Sequence, residues 1–282
     1  MRFGFVTCVQ LGQSCMEEIY AQGGELALAM SLADDKAPRK SGRVYLDRFC
    51  QERGIPLIKV GNINDPNAVA AVRSHELDWL FIIGWSQIAR REALLAPRRG
   101  VLGIHPTLLP EGRGRAAIPW AILLGLPRTG VTLFQLDEGV DTGPILAQVE
   151  LPLAPAETAT GLYARVNEAH RTLIAQTWRD LVADRLAPRP QEPGAGSVWP
   201  GRTPEDGRIL PSTPVELAER LVRATRSPYP GAFQDLAAGR LRIWDGRIAR
   251  EDEPLPPGAR DVQVAGGRYL ALQWTLEPGT QG

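Results

Sequence analysis

The sequence predicts an α/β protein in which a mostly parallel sheet carries helices on both faces and is followed by a smaller domain made of a helix and an antiparallel sheet or open barrel. Three observations lead there. Short apolar runs alternate with helical segments through residues 1–186. Residues 187–203, rich in proline and glycine from Ala187 to Gly201, cannot hold a helix and read as a semi-extended linker. Residues 204–282 then give one helix followed by β patterns.

Taken in order, Phe3 to Val9 reads as a buried strand, Ser14 to Ala21 as a helix and Glu25 to Leu32 as a second strand, which makes a βαβ start. Asp34 to Arg43, with alternating charges, Pro38 and Gly42, predicts an exposed loop before a helix over Val44 to Arg53. Pro56 to Val60 is a short strand and Ala68 to Arg73 a helix. Trp79-Leu-Phe-Ile-Ile83 is the continuous apolar run of a strand buried on both faces, ended by Gly84. Strand Val101 to Ile104, helix Ala116 to Leu124, and strands Gly130 to Leu136 and Ile145 to Leu151 continue the alternation. Within Glu157 to Leu186, Leu162, Val166, Ala169 and Leu173 recur at four, three and four residues, and Trp178 and Leu181 extend the stripe. One face of a long helix therefore packs on the sheet.

In the second domain Thr213-Pro-Val-Glu216 supplies a capping residue, proline at the first helical position and glutamate at the third, starting a helix that carries Leu217, Leu221 and Val222. Asp245-Gly246, between Leu241-Arg-Ile-Trp244 and Arg247-Ile-Ala249, predicts a tight hairpin turn. Gly266-Gly267 predicts another between Val262 to Val264 and Arg268 to Trp274.

The 282 residues are 44% hydrophobic, ordinary for a globular chain of one large or two medium domains. The 32 basic and 32 acidic residues cancel, which weakens a nucleic-acid substrate without excluding it. Cys8, Cys15 and Cys50 include no CxxC pair and make a poor disulfide framework, so they read as buried free thiols. The N-terminal apolar run is too short for a signal peptide, and no segment reaches the ~20 apolar residues of a membrane helix. A cytoplasmic protein with no membrane partner is expected.

The first βα turn, Thr7-Cys-Val-Gln-Leu-Gly-Gln13, has one glycine and lacks GxGxxG, which disfavours dinucleotide binding. No Walker loop, HExxH, GxSxG or paired-cysteine site occurs, so the common NTPase, zinc-peptidase and serine-hydrolase readings fall away and no metal is expected. Chemistry then falls to His105 and Asp141. His75, in Arg73-Ser-His-Glu76, reads as a solvated loop residue, and His170, bordering the apolar stripe of the long helix, as a surface or packing residue. His105 instead follows a strand, precedes Pro106 and opens a loop rich in proline, glycine and arginine, where open α/β sheets place their chemistry. Asp141 lies in an acidic turn whose Gly139 and Gly143 permit the sharp path that turns a carboxylate back toward the strand end. Arg113 and Arg115 either contact a substrate phosphate or carboxylate or anchor the loop against the acidic turn.

His105-Pro-Thr-Leu-Leu-Pro-Glu-Gly-Arg-Gly114, Thr129-Gly-Val-Thr132 and Asp137-Glu-Gly-Val-Asp-Thr-Gly143 resemble the HxSLLPxxRG, TGVT and DxGxDTG patterns of the folate-dependent formyltransferases. Arg202-Thr-Pro-Glu-Asp-Gly-Arg-Ile209 and Arg223-Ala-Thr-Arg-Ser-Pro-Tyr-Pro-Gly-Ala-Phe233 are similar to the C-terminal regions of the methionyl-tRNA and sugar N-formyltransferase members. The resemblance implies a Rossmann-like formyltransferase fold with an OB-like second domain. It also implies transfer of a formyl group from 10-formyltetrahydrofolate, a co-substrate, to a primary amine. It assigns proton transfer and oxyanion stabilisation to His105, and orientation of the imidazole to Asp141. It implies a folate site at Trp85, Gln87, Ile88, Ala89, Asp137 and Val140, and an acceptor site at Pro106, Thr107, Arg113, Arg115 and Tyr229.

One position departs from the family pattern. The family carries an asparagine two residues before the histidine, whose amide helps to bind the formyl oxygen, and this chain has Gly103. Loss of one oxyanion donor costs roughly 3 to 4 kcal/mol of transition-state stabilisation. The KLSK-like segment of methionyl-tRNA formyltransferases is replaced by Pro200-Gly-Arg-Thr-Pro204, and their basic insertion is not evident. A nucleotide-linked amino sugar is therefore the expected acceptor and methionyl-tRNA the alternative. A folate-binding homologue with impaired catalysis and a formyl-folate hydrolase are further readings. No oligomeric state is selected.

Overall fold

The computed structural model describes residues 1–39 and 42–278. In chain order, the first segment comprises β1 (Phe3–Val6), α1 (Gln10–Ala21), β2 (Leu28–Leu32), a 3-10 turn (Asp34–Arg39), α2 (Asp47–Arg53), β3 (Leu57–Val60) and α3 (Pro66–Ser74). It continues through β4 (Trp79–Ile83), α4 (Arg91–Leu94), β5 (Gly100–His105), β6 (Arg113–Gly114), α5 (Ala117–Leu123), β7 (Arg128–Gln135), β8 (Ile145–Pro152) and α6 (Ala159–Val182). After β9 (Val198–Trp199) come α7 (Val215–Ala224), β10 (Ala232–Leu236), β11 (Gly239–Ala249), β12 (Arg260–Val262) and β13 (Arg268–Glu277).

The apolar runs pair in the order β3-β2-β1-β4-β5-β7-β8. The first five strands are parallel and β7 runs antiparallel to β5. Parallel strands need both faces covered, and the burial of β1, β2 and β4 shows that they are. Phe5 stacks on Phe81 at 5.4 Å between ring centroids, and Phe3 meets Trp178 of α6 at 4.7 Å. The stripe of α6 is buried through Val166, Ala169, Leu173, Trp178 and Leu181, as its spacing predicts.

The chain divides into two compact units, and the division is not a single cut. The first comprises Met1–Gly114, Thr129–Pro152 and Arg165–Val198; the second comprises Arg115–Arg128, Leu153–Ala164 and Trp199–Gly282. Thus α5 belongs to the second unit, where Leu123 packs on the core that α7 shares with the sheet β10-β11-β13-β12. That core joins Val215, Ala218, Leu221 and Val222 of α7 to Leu241, Ile243, Tyr269 and Ala271. Burying such aliphatic and aromatic side chains contributes about 1.5–3 kcal/mol for each large one.

Three local expectations are corrected. Asp245-Gly246 is no hairpin turn: β11 runs through it, pairing with β13 on both sides, with register shifts at Ile243/Asp245 and Asp245/Gly246. The pair makes a bulge because the ladder partners on either side outweigh local turn preference. Glycine is needed there for close approach, since a Cβ on Gly246 would stand 2.5 Å from the Leu270 carbonyl oxygen. Thr213 does not cap α7; its Oγ1 accepts the Leu210 N–H at 2.9 Å, and the helix starts at Val215 after Pro214. The expected loop Asp34–Arg43 contains a 3-10 turn, and the Arg43 guanidinium is tucked in against Ser31 Oγ (2.7 Å) and the Leu32 carbonyl (2.6 Å). Lys40 and Ser41 of that loop lie outside the described residues. The three cysteines are buried, and none of them forms a disulfide among the described residues. Among the described residues no helix is long and apolar enough to cross a membrane.

Candidate active site

His105 is the last residue of β5, at the carboxyl end of the parallel part of the sheet, and lies opposite Thr132 of β7. The residue is 8% exposed. Nε2 lies 2.8 Å from the Gly112 carbonyl oxygen, which can only accept, so Nε2 carries the hydrogen and the imidazole lone pair is on Nδ1. Nδ1 faces Asp141 Oδ2 at 3.6 Å. That is beyond a hydrogen bond but close enough for a carboxylate to stabilise an imidazolium formed there.

Asp141 holds a left-handed backbone, φ 53°, a conformation that costs a residue with a Cβ of order 1–3 kcal/mol and persists where its surroundings fix it. Its Oδ2 accepts the Gly114 N–H at 2.8 Å. Asp137 closes the same turn on itself, its Oδ1 accepting from Thr142 Oγ1 at 2.8 Å and the Gly139 N–H at 3.1 Å. Glu138 pairs with Arg91 at the surface.

The loop after His105 is held from the sheet. Thr132 Oγ1 donates to the Thr107 carbonyl (2.7 Å) and accepts the Leu109 N–H (3.1 Å), and Gln148 Nε2 reaches the Leu109 carbonyl at 2.9 Å. Pro106 is half-buried. The Thr107 hydroxyl is buried with no hydrogen-bond partner in the structure. Arg113 is used for anchoring: Nε and Nη2 donate to Gln191 Oε1 at 3.1 and 2.7 Å, and Nη1 to the Ala195 carbonyl at 3.0 Å. Arg115, exposed, and Tyr229, half-buried, belong to the second unit.

Of the residues expected at a folate site, Gln87 is tied to the loop beyond β3, accepting the Ile63 N–H at 3.0 Å and donating to the Gly61 carbonyl at 2.9 Å. Trp85 Nε1 donates to Gln87 Oε1 at 3.1 Å while its ring packs on the core. Ala89 is buried, whereas Ile88 and Val140 are exposed apolar side chains.

Gly103 shares a face of β5 with His105, two residues away. A Cβ there would lie 2.8 Å from Leu136 Cδ2 and 3.1 Å from Phe134 Cε1, so apolar side chains occupy the space beside it. His170 is buried in α6 with Nδ1 donating to the Val166 carbonyl at 2.8 Å, the packing alternative of its two readings. Burial pushes its pKa down to about 4, and the nearby His105 pushes the same way. No group of three or more His, Cys, Asp or Glu side chains that could hold a metal occurs among the described residues.

Sequence reasoning missed Gln191, Ser197 and Gly112. Ser197 Oγ accepts the Gly112 N–H at 2.9 Å, and its carbonyl accepts the Arg113 N–H at 3.0 Å. Gly112, whose carbonyl accepts the His105 Nε2–H, is thereby held by Ser197 through its own N–H and that of the next residue. The sequence trace of the Gln191 and Ser197 roles is polar residues set in an otherwise proline- and glycine-rich stretch.

A mostly parallel sheet with a buried imidazole facing a half-buried carboxylate at its carboxyl edge is an arrangement whose chemistry suits proton-coupled group transfer. One family model, described as formyl transferase, matches residues 46–177, and another, formyl transferase C-terminal domain, matches residues 202–271. A methionyl-tRNA formyltransferase of Acidothermus cellulolyticus is 36% identical over 222 residues, 79% of this chain and 68% of that protein. HypX from Aquifex aeolicus, solved in complex with tetrahydrofolic acid, gives a TM-score of 0.69 at 19% identity over 98% of this chain, which spans 44% of that chain. WlaRD, a sugar 3N-formyl transferase solved in the presence of dTDP and 5-N-formyl-THF, gives 0.70 at 16% identity over 98% of both chains. These structural likenesses show the fold. The chain belongs to the formyl transferase family and is an N-formyltransferase.

Proposed function

We propose that the protein moves the formyl group of 10-formyltetrahydrofolate to the primary amine of a small acceptor, a nucleotide-linked amino sugar. The observation that carries the mechanism is the His105 ring held between the Gly112 carbonyl and Asp141. The acceptor nitrogen attacks the formyl carbon and a tetrahedral oxyanion forms. His105 Nδ1, which holds the lone pair, takes the proton released by the amine, and Asp141 stabilises the imidazolium. Collapse of the oxyanion breaks the carbon–N10 bond, and the imidazolium returns the proton to N10, leaving tetrahydrofolate and the formamide. Exposed Ile88 and Val140 suit the faces of a pterin ring, and exposed Asp137 its polar edge.

The small acceptor is supported by charge. The chain has no net charge, and in the second unit Arg208, Arg223, Arg226, Arg240, Arg242, Arg247 and Arg268 are each paired with a carboxylate. Binding a polyanion with those arginines requires breaking the pairs. A second reading, methionyl-tRNA as acceptor, is supported by the 36% identity to a methionyl-tRNA formyltransferase.

The test is tetrahydrofolate release from 10-formyltetrahydrofolate with dTDP-linked amino sugars and with charged initiator tRNA in parallel. Release that requires a sugar supports the first reading. Release only with tRNA replaces it with the second, and release with neither but with formate formed makes the protein a hydrolase. His105→Asn should lower the rate by about 10²–10⁴ with folding intact; near-normal release in that variant would sink the assignment.

A further inference from the structure

The segment following α6 returns along the first unit. Arg189 exchanges backbone hydrogen bonds with Ile145 at 2.8 Å in each direction, which brings Gln191 between the two loops that carry the site. Gln191 Oε1 accepts Nε and Nη2 of Arg113, in the loop that follows His105. Gln191 Nε2 donates to the carbonyls of Asp141 (2.9 Å) and Gly143 (2.7 Å). A primary amide has two N–H donors and an oxygen with two lone pairs, so its whole capacity is used. The side chain performs two tasks at once: it takes the guanidinium fork of one loop and fixes two carbonyls of the other. The second task falls on Asp141 itself, whose left-handed backbone needs outside support.

We infer that Gln191 is a positioning residue for the His105–Asp141 pair, its amide holding the Asp141 turn so that the carboxylate stays against the imidazole. Its kinetic consequence rests on the formyl-transfer reading, and its structural one does not. Two substitutions separate the tasks. Gln191→Glu keeps an acceptor for Arg113 and loses both donors to the turn, whereas Gln191→Met loses everything. If Gln191 served only to anchor Arg113, Gln191→Glu would behave as wild type. A shift of the carboxylate by about 1 Å can cost up to ~10²-fold in rate.

The experiment compares wild type, Gln191→Glu and Gln191→Met in two measurements. One is tetrahydrofolate release with a dTDP-linked amino sugar, giving kcat and the KM for 10-formyltetrahydrofolate. The other is hydrogen exchange at the Gly114 amide, which donates to Asp141 Oδ2 and so reports where that carboxylate sits. Both variants should lose at least tenfold in kcat with KM within twofold, and Gly114 should exchange at least tenfold faster in both, with thermal unfolding midpoints near that of wild type. Wild-type kcat or wild-type Gly114 exchange in Gln191→Glu overturns the inference. A wild type that releases no tetrahydrofolate overturns the functional reading instead, and Gly114 exchange then decides the positioning role alone.

Discussion

Gly103 can be turned into an experiment that adds a function. The backbone at this position is ordinary β-strand, outside the positive-φ glycines, so asparagine meets no conformational barrier there. The obstacle is the Leu136 side chain, which a Cβ would approach to 2.8 Å, with Phe134 at 3.1 Å. Gly103→Asn alone should therefore overpack this corner and cost about 1–3 kcal/mol of stability. Leu136 is half-buried, so Leu136→Ala removes the clash at about 1–2 kcal/mol in lost burial. In the double variant the amide stands on the His105 face of β5, two residues away. One added oxyanion donor is worth about 3–4 kcal/mol, which is a rise of roughly 10²–10³ in kcat. The assay is single-turnover tetrahydrofolate release, with thermal melts to establish that the variant is folded. A folded double variant whose rate rises less than tenfold would refute the reasoning, because the formyl oxygen must then already have another donor.

Other outcomes follow from the same geometry. Asp141→Asn keeps a residue tolerant of the left-handed backbone but removes the charge facing His105, so kcat should fall about 10²-fold with the melting temperature little changed; a wild-type kcat in the folded variant would contradict this. His170 is protonated more readily in the unfolded chain, near pH 6.5, than in the fold, near 4, so protons favour unfolding in that window. Its contribution is complete above pH 6.5 and declines by about 3 kcal/mol as pH falls to 4; urea titrations of His170→Phe should show a shallower acid slope than wild type. Gly246→Ala, which drives a Cβ onto the Leu270 carbonyl, should destabilise the second unit by at least about 2 kcal/mol, measured by thermal unfolding.

The elements carried by continuous apolar runs were legible because burial on two faces leaves little choice of residue: Trp79–Ile83 was expected residue for residue, and the stripe of α6 was read from its spacing. The placement of His105 and Asp141 beside each other at strand ends was legible because proline and glycine punctuate those ends. What escaped was set by partners far away in sequence. Gln191 acts on residues 50 and 78 positions away, and no periodicity announces a glutamine whose purpose is a distant pair of carbonyls. Asp245-Gly246 was misread for the opposite reason: its local preference is a turn, and the ladder with β13 overrides it. Arg43 looked like a loop charge because Ser31 and the Leu32 carbonyl, which draw it inward, lie on a neighbouring strand.

The proline-rich stretch after α6 changes what counts as the minimal catalytic fragment. A chain cut at residue 186, where composition shifts, would keep His105, Asp141 and the whole seven-stranded sheet, yet would leave the Gly112 N–H, the Arg113 guanidinium and the Asp141 turn without the groups that hold them. Insertions or deletions between Arg189 and Ser197 would therefore be felt as losses of turnover before losses of fold. A segment whose composition suggests a mere spacer thus supplies the groups that hold both loops beside His105 and Asp141.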